Sequence, residues 1–177
     1  MQNTLKVVGI LTLFFTWRLC DSSSYKLTNV NCESVNKSWV TVNECRLKAV
    51  SRNKTVFNFN ATFHHPVYDI IMDYRYLKWA SGYKPWLYRR KIDACKFLRK
   101  PYDVLTIMIT MVYRPYSNIN HTCPYYGHVL IKGMYLTTEV KTFPYYTGQY
   151  MLQMNWLFSR KLQLVMNVSY EFVENLL

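Results

Sequence analysis

The residues best suited to chemistry are few and scattered. Four histidines occur in 177 residues: His64, His65, His121 and His128. No G-x-S-x-G elbow, H-E-x-x-H helix or phosphate-cradling glycine-rich loop is present. Asp69 and Asp73 would share one face of a strand, where two carboxylates can work as a pair. Two solvated surface acids account for them as well. His64 and His65 stand just before Pro66 and read as a strand end rather than as metal ligands. The chain is expected to be non-catalytic, with no cofactor and no metal.

Cysteine is the next reactive type. Of five cysteines, Cys20 sits behind Lys6 and the uncharged, mostly apolar run Val7 to Trp17, which Arg18 ends. That layout, with Ser22 to Ser24 following, reads as a secretory signal peptide over 1–22. It is too short for a spanning helix, which needs about 20 apolar residues. Its removal takes away Cys20, Lys6, Arg18 and Asp21, and leaves Cys32, Cys45, Cys95 and Cys123 in the domain expected over 23–177. An even number of secreted cysteines is expected to pair. Three pairings exist; Cys32–Cys45 with Cys95–Cys123 closes two local loops. No C-x-x-C spacing supports zinc.

Five N-x-S/T sequons, at Asn36, Asn53, Asn60, Asn120 and Asn167, agree with secretion. Composition alone would yield roughly 1.8 such acceptor patterns, so five is an excess. The formal net charge is +12. Lys84, Arg89, Arg90, Lys91, Lys96, Arg99 and Lys100 fall close together, opposed only by Asp93. Inside a cell such a run would suggest nucleic acid. In a secreted chain it suggests anionic lipid headgroups, acidic glycans or an acidic partner, or simply a solvated face.

The elements that must position these residues read as strands. Phe57, Phe59, Ala61 and Phe63 alternate with Val56, Asn58, Asn60 and Thr62. Asn60 is a sequon and must face water, so the phenylalanines face inward. Leu162, Leu164, Met166, Val168, Tyr170 and Phe172 likewise alternate with a polar face that carries the Asn167 sequon. Weaker alternation runs through Tyr68 to Tyr76, with both tyrosines inward, and through 150–158 and 39–49. Further strands are expected over 25–32, 86–92 and 128–140. Aromatic and β-branched residues suit half-buried pleated surfaces. The segment 104–113 leans helical, with Leu105, Met108, Ile109 and Val112 on one face behind Pro101 and Asp103.

Seven or eight such strands make a β-sandwich with a large aromatic interior. That interior suits a packed core or a ligand cavity equally, and the sequence does not separate them. If it is a cavity, Phe57, Phe59, Phe63, Tyr74, Trp86, Tyr88, Met154, Trp156, Met166 and Tyr170 are the expected lining. Apolar, aromatic walls suit small-molecule pockets, and methionine adapts to varied shapes.

Three stretches form a specific set: Gly82 to Tyr88, Asp93 to Leu98, and Tyr116 to Tyr125. Leu27 to Ser34, Gly148 to Leu152 and Trp156 fit with them. Together they resemble a large family of small secreted insect proteins, similar to the CheB chemosensory proteins and the ML lipid-recognition superfamily. The resemblance implies an immunoglobulin-like (ML-type) all-β sandwich with an apolar cavity between its sheets, to which the residue pattern adds one short helix between about 101 and 114. It implies a lipid-like or hydrocarbon ligand, a role in chemosensation and a possible membrane receptor. It also matches the pairing Cys95–Cys123. The expectation is a secreted monomer. The alternative is an immune or surface recognition protein that reads anionic lipid or glycan through the basic residues.

Overall fold

The computed structural model describes residues 23–52, 54–137 and 145–174. The expected signal peptide, the sequon at Asn53 and the far end of the strand expected over 128–140 lie outside these residues. Eight strands form: β1 (Ser24–Ser34), β2 (Val40–Ser51), β3 (Lys54–Val67), β4 (Ile70–Trp79), β5 (Tyr83–Asp93), β6 (Tyr125–Met134), β7 (Gly148–Phe158) and β8 (Lys161–Val173). They build two antiparallel sheets, one of five strands in the order β1-β8-β7-β4-β5 and one of three in the order β2-β3-β6. This is the expected all-β sandwich.

The alternation seen in the sequence sets the phase. On β3, Phe57, Phe59, Ala61 and Phe63 are buried. On β8, Leu164, Met166, Val168, Tyr170 and Phe172 are buried and meet the inward residues of β7 rung by rung, with Met166 opposite Met154. Asn60 and Asn167 point to the outer faces. Two expectations fail at strand ends. Leu162, expected inward, is 39% exposed at the start of β8. Tyr68 is 71% exposed because β4 begins only at Ile70.

The three-strand sheet is narrower than its partner, and helices fill the gap. Asp93 caps α1 (Ala94–Arg99), its carboxylate accepting from the Lys96 amide at 2.8 Å. This helix adds to the single one expected. Asp103 caps α2 (Val104–Tyr113) in the same way, accepting from the Thr106 amide at 2.8 Å. Such side-chain caps satisfy an amide the helix itself leaves unpaired. A 3-10 turn at Arg114–Tyr116 leads toward β6.

Two disulfides close the two sides. Cys32–Cys45 joins β1 to β2 where the sheets meet directly, and Cys95–Cys123 ties α1 to the segment before β6. Both are the expected local pairings. Among the described residues, no helix is long and apolar enough to cross a membrane.

Candidate functional site

The inward faces do not fill the space between the sheets. A cavity of about 190 Å³ remains, walled by β3 and β6 on one side, by β4, β7 and β8 on the other, and by α2 along the open edge. Apolar voids of about 150 Å³ are already large enough to admit a benzene-sized molecule. Among the described residues, no lysine, arginine, histidine, aspartate or glutamate lines it.

Seven of the ten expected lining residues reach this cavity. Phe57, Phe59 and Phe63 come from β3, Met154 and Trp156 from β7, and Met166 and Tyr170 from β8. Three do not. Tyr74 is fully buried behind α2, with its hydroxyl 3.1 Å from the Thr106 hydroxyl, and burial pushes its pKa up to about 12. Trp86 packs outside the cavity against the rings of Tyr150 and Tyr145, at 5.0 and 5.7 Å. Tyr88 lies beneath the Arg90 guanidinium. The cause for the last two is a bulge in β5. Arg75 pairs with Arg89 but Leu77 pairs with Pro85, so three residues of β5 span one of β4. Period-two counting fails there.

The helical wall is the part that sequence reading places least well. Its cavity face is Thr106, Ile109, Val112 and Tyr113. Ile109 and Val112 were expected, while Leu105 and Met108 lie to the side. Thr106 is 2% exposed although polar. Its hydroxyl donates to Asp103 at 2.8 Å and meets Tyr74, so its polar atoms are satisfied internally. The Asp-x-x-Thr spacing was the available signal.

Asp103 therefore joins the helix to the sheet. Burial alone would raise its carboxyl pKa, but the Thr106 amide and hydroxyl, the Tyr74 hydroxyl and Arg90 outweigh burial and lower it. A lowered pKa means that folding favours the ionised form. The stabilisation is complete above the ordinary value of 3.8 and is lost as pH falls through the lower folded value. Asp103→Ala should cost about 1–2 kcal/mol near neutral pH, as loss of a helix cap does. The gap between wild type and variant in urea unfolding should narrow below the carboxylate range. A gap independent of pH would remove the ionised cap from this account.

The basic residues are exposed but do not form one patch. Arg89 and Lys91 point to the outer face of the five-strand sheet, opposite Arg75 and Asp73. Arg89 is held by Asp73 in a two-pronged pair at 2.7 and 3.1 Å. Arg90 turns the other way, toward Asp103 at 3.6 Å. Lys84 sits at the far hairpin end opposite Lys78, and Lys96, Arg99 and Lys100 belong to α1 and its C-terminal end.

Of the sequons, Asn120 is exposed before β6, and Asn36 sits in the β1–β2 turn accepting from Ser38. Asn60 accepts from Asn43 at 3.3 Å on the outer face. The side-chain oxygen of Asn167 is buried and has no hydrogen-bond partner among the described residues. Also among them, no cluster of His, Cys, Asp and Glu could hold a metal ion.

The helices between β5 and β6 fall within a recognisable stretch of sequence. Residues 69–152 match the DUF1091 family, described as a protein of unknown function. The DUF1091 match covers somewhat less than half of the chain. It takes in β4, β5, both helices, β6 and the first part of β7, and with them the Cys95–Cys123 disulfide and the whole helical wall. No curated protein matches the chain.

Proposed function

We propose that this chain is a secreted, glycosylated, non-catalytic binding protein that holds a lipid-like or hydrocarbon molecule between its sheets. The observation that carries this reading is the cavity of about 190 Å³ between the two sheets and α2, with no charged side chain among the described residues that line it. Removing apolar ligand surface from water is worth roughly 25 cal/mol per Å², which suffices for binding without charge pairing. Two disulfides fit an oxidising compartment. The DUF1091 match and the resemblance to CheB-like and ML-type proteins extend the proposal to chemosensation, with a membrane receptor as partner.

The test is to express the full chain in insect cells, purify it from the medium, extract it with organic solvent and analyse the extract by mass spectrometry. A stoichiometric lipid or hydrocarbon is expected. An empty extract, together with no uptake of added sterols or long-chain hydrocarbons, would sink the reading. Val168→Phe sharpens the test. Val168 faces the cavity from the middle of β8. The larger ring should occupy the void and weaken ligand uptake at least tenfold, while stability changes by less than about 1.5 kcal/mol. Undiminished uptake would place the ligand elsewhere.

A further inference from the structure

The described residues that line the cavity carry no charge, but their hydroxyls are not evenly spread. Tyr25, Tyr76, Tyr145 and Tyr170 gather at one end. The Tyr145 and Tyr170 hydroxyls are 2.8 Å apart, and the Tyr25 and Tyr170 rings each stand edge-on to Tyr145 at 5.9 and 5.8 Å. Burial raises the pKa of Tyr170 and Tyr76 well above 10, so both stay protonated across physiological pH.

At the other end Ile70, Ile92, Phe63, Phe97 and Phe158 present only hydrocarbon. Of the other lining hydroxyls, that of Tyr125 donates to the His121 carbonyl and that of Thr106 to the Asp103 carboxylate. Along β8 the inward residues run from Tyr170 to Leu164, a distance of ~20 Å at the usual rise of a strand. The cavity thus has a phenol cluster at one end, and its other end is apolar except for the Trp156 indole N–H, which is buried and has no hydrogen-bond partner among the described residues.

This distribution selects a ligand class. A carboxylate buried here would find no cation among the described lining residues and would carry a desolvation cost of several kcal/mol. A phenol both donates and accepts, so a cluster of them can rearrange to meet a hydroxyl or a carbonyl oxygen. We propose that the slot selects uncharged chain lipids bearing one oxygen function, an alcohol, ester or ketone, with that oxygen at the tyrosine end, and that it discriminates against fatty-acid anions. The inference rests on the reading of the cavity as a ligand site.

Four probes with chains of matched length separate the possibilities: hexadecanol, methyl palmitate, hexadecane and palmitate, each delivered from cyclodextrin to the full-length protein at pH 8. Hexadecanol and methyl palmitate should bind at least tenfold more tightly than palmitate. They should also exceed hexadecane by about tenfold, the worth of a buried hydrogen bond. Tyr170→Phe should erase the margin over hexadecane while leaving hexadecane binding intact, which also shows that the variant is folded. Tyr145→Phe, on the other side of the same hydrogen bond, repeats the test. Palmitate binding equal to that of hexadecanol would overturn the inference and leave the carrier reading standing. So would hexadecane binding equal to that of the alcohol. Failure of all four probes would remove both.

Discussion

Phe158→Ala should lower the unfolding free energy by about 3–5 kcal/mol, the range for losing a buried phenyl ring. Phe158 is 1% exposed, meets the Phe63 ring at 5.0 Å and lies opposite Ile70 across the β4–β7 pair. It therefore fastens the two sheets together at the apolar end of the slot. Much of the cost of such truncations depends on whether neighbours can relax into the space left behind. Here the new space would merge with a void that the fold already maintains. Collapse should recover little, and the value should lie in the upper part of the range. Urea unfolding followed by tryptophan fluorescence measures it. A loss below about 1.5 kcal/mol would mean that the walls close readily, and the cavity would not be a fixed property of the fold.

The second large effect is expected from the paired change Cys95→Ala with Cys123→Ala. The bridge closes a separation of 28 residues, for which the loop-entropy relation gives about 3.5 kcal/mol. The shorter Cys32–Cys45 loop, at a separation of 13, gives about 3 kcal/mol. The energies are similar but the consequences differ. Cys32–Cys45 joins strands already held by their sheets. Cys95–Cys123 holds α1, which has only six residues and is too short to stand alone. Losing it should impair ligand uptake beyond the loss of stability, because the helical wall borders the slot. Uptake measured at a temperature where both double variants remain folded would show the difference. Equal retention of ligand by the two would make the helices a passive cover.

The two sheets were legible because two independent signals coincided. On β3 and β8 the apolar alternation and the sequons at Asn60 and Asn167 agree on which face turns outward, although on β8 Gln163, Ser169 and the Asn167 side-chain oxygen of that outer face are buried. Where only one signal existed, the reading was weaker. Trp86 and Tyr88 look like inward aromatics, yet the β5 bulge carries both away from the cavity, and Leu87 between them adopts a φ of 47°. Thr106 looks like a surface residue on a helix, and only its contacts with Asp103 and Tyr74 make its burial tolerable. The β7–β8 connection has no glycine or asparagine to announce it. Ser159 and Arg160 both take positive φ, 48° and 64°, in a turn whose twist suits a hairpin. The cavity itself was not legible. Whether facing side chains meet or stop short depends on the separation of the sheets, and here α1 and α2 stand at the edge where the narrower sheet ends.

The position of β5 gives the basic run a meaning that needs no partner. Among the described residues this strand is the last in its sheet, with β4 on one side and no strand on the other. An outermost strand offers unpaired amides and carbonyls to any second chain that approaches, and that is how many extracellular β proteins begin to polymerise. Along this rim stand Lys84, Pro85, Arg89, Arg90 and Lys91, with a bulge among them. Proline withholds a donor, the bulge spoils the straight template, and like charges repel a second copy in register. Held on an edge strand, the cationic stretch thereby disfavours edge-to-edge growth of the sheet into a fibril.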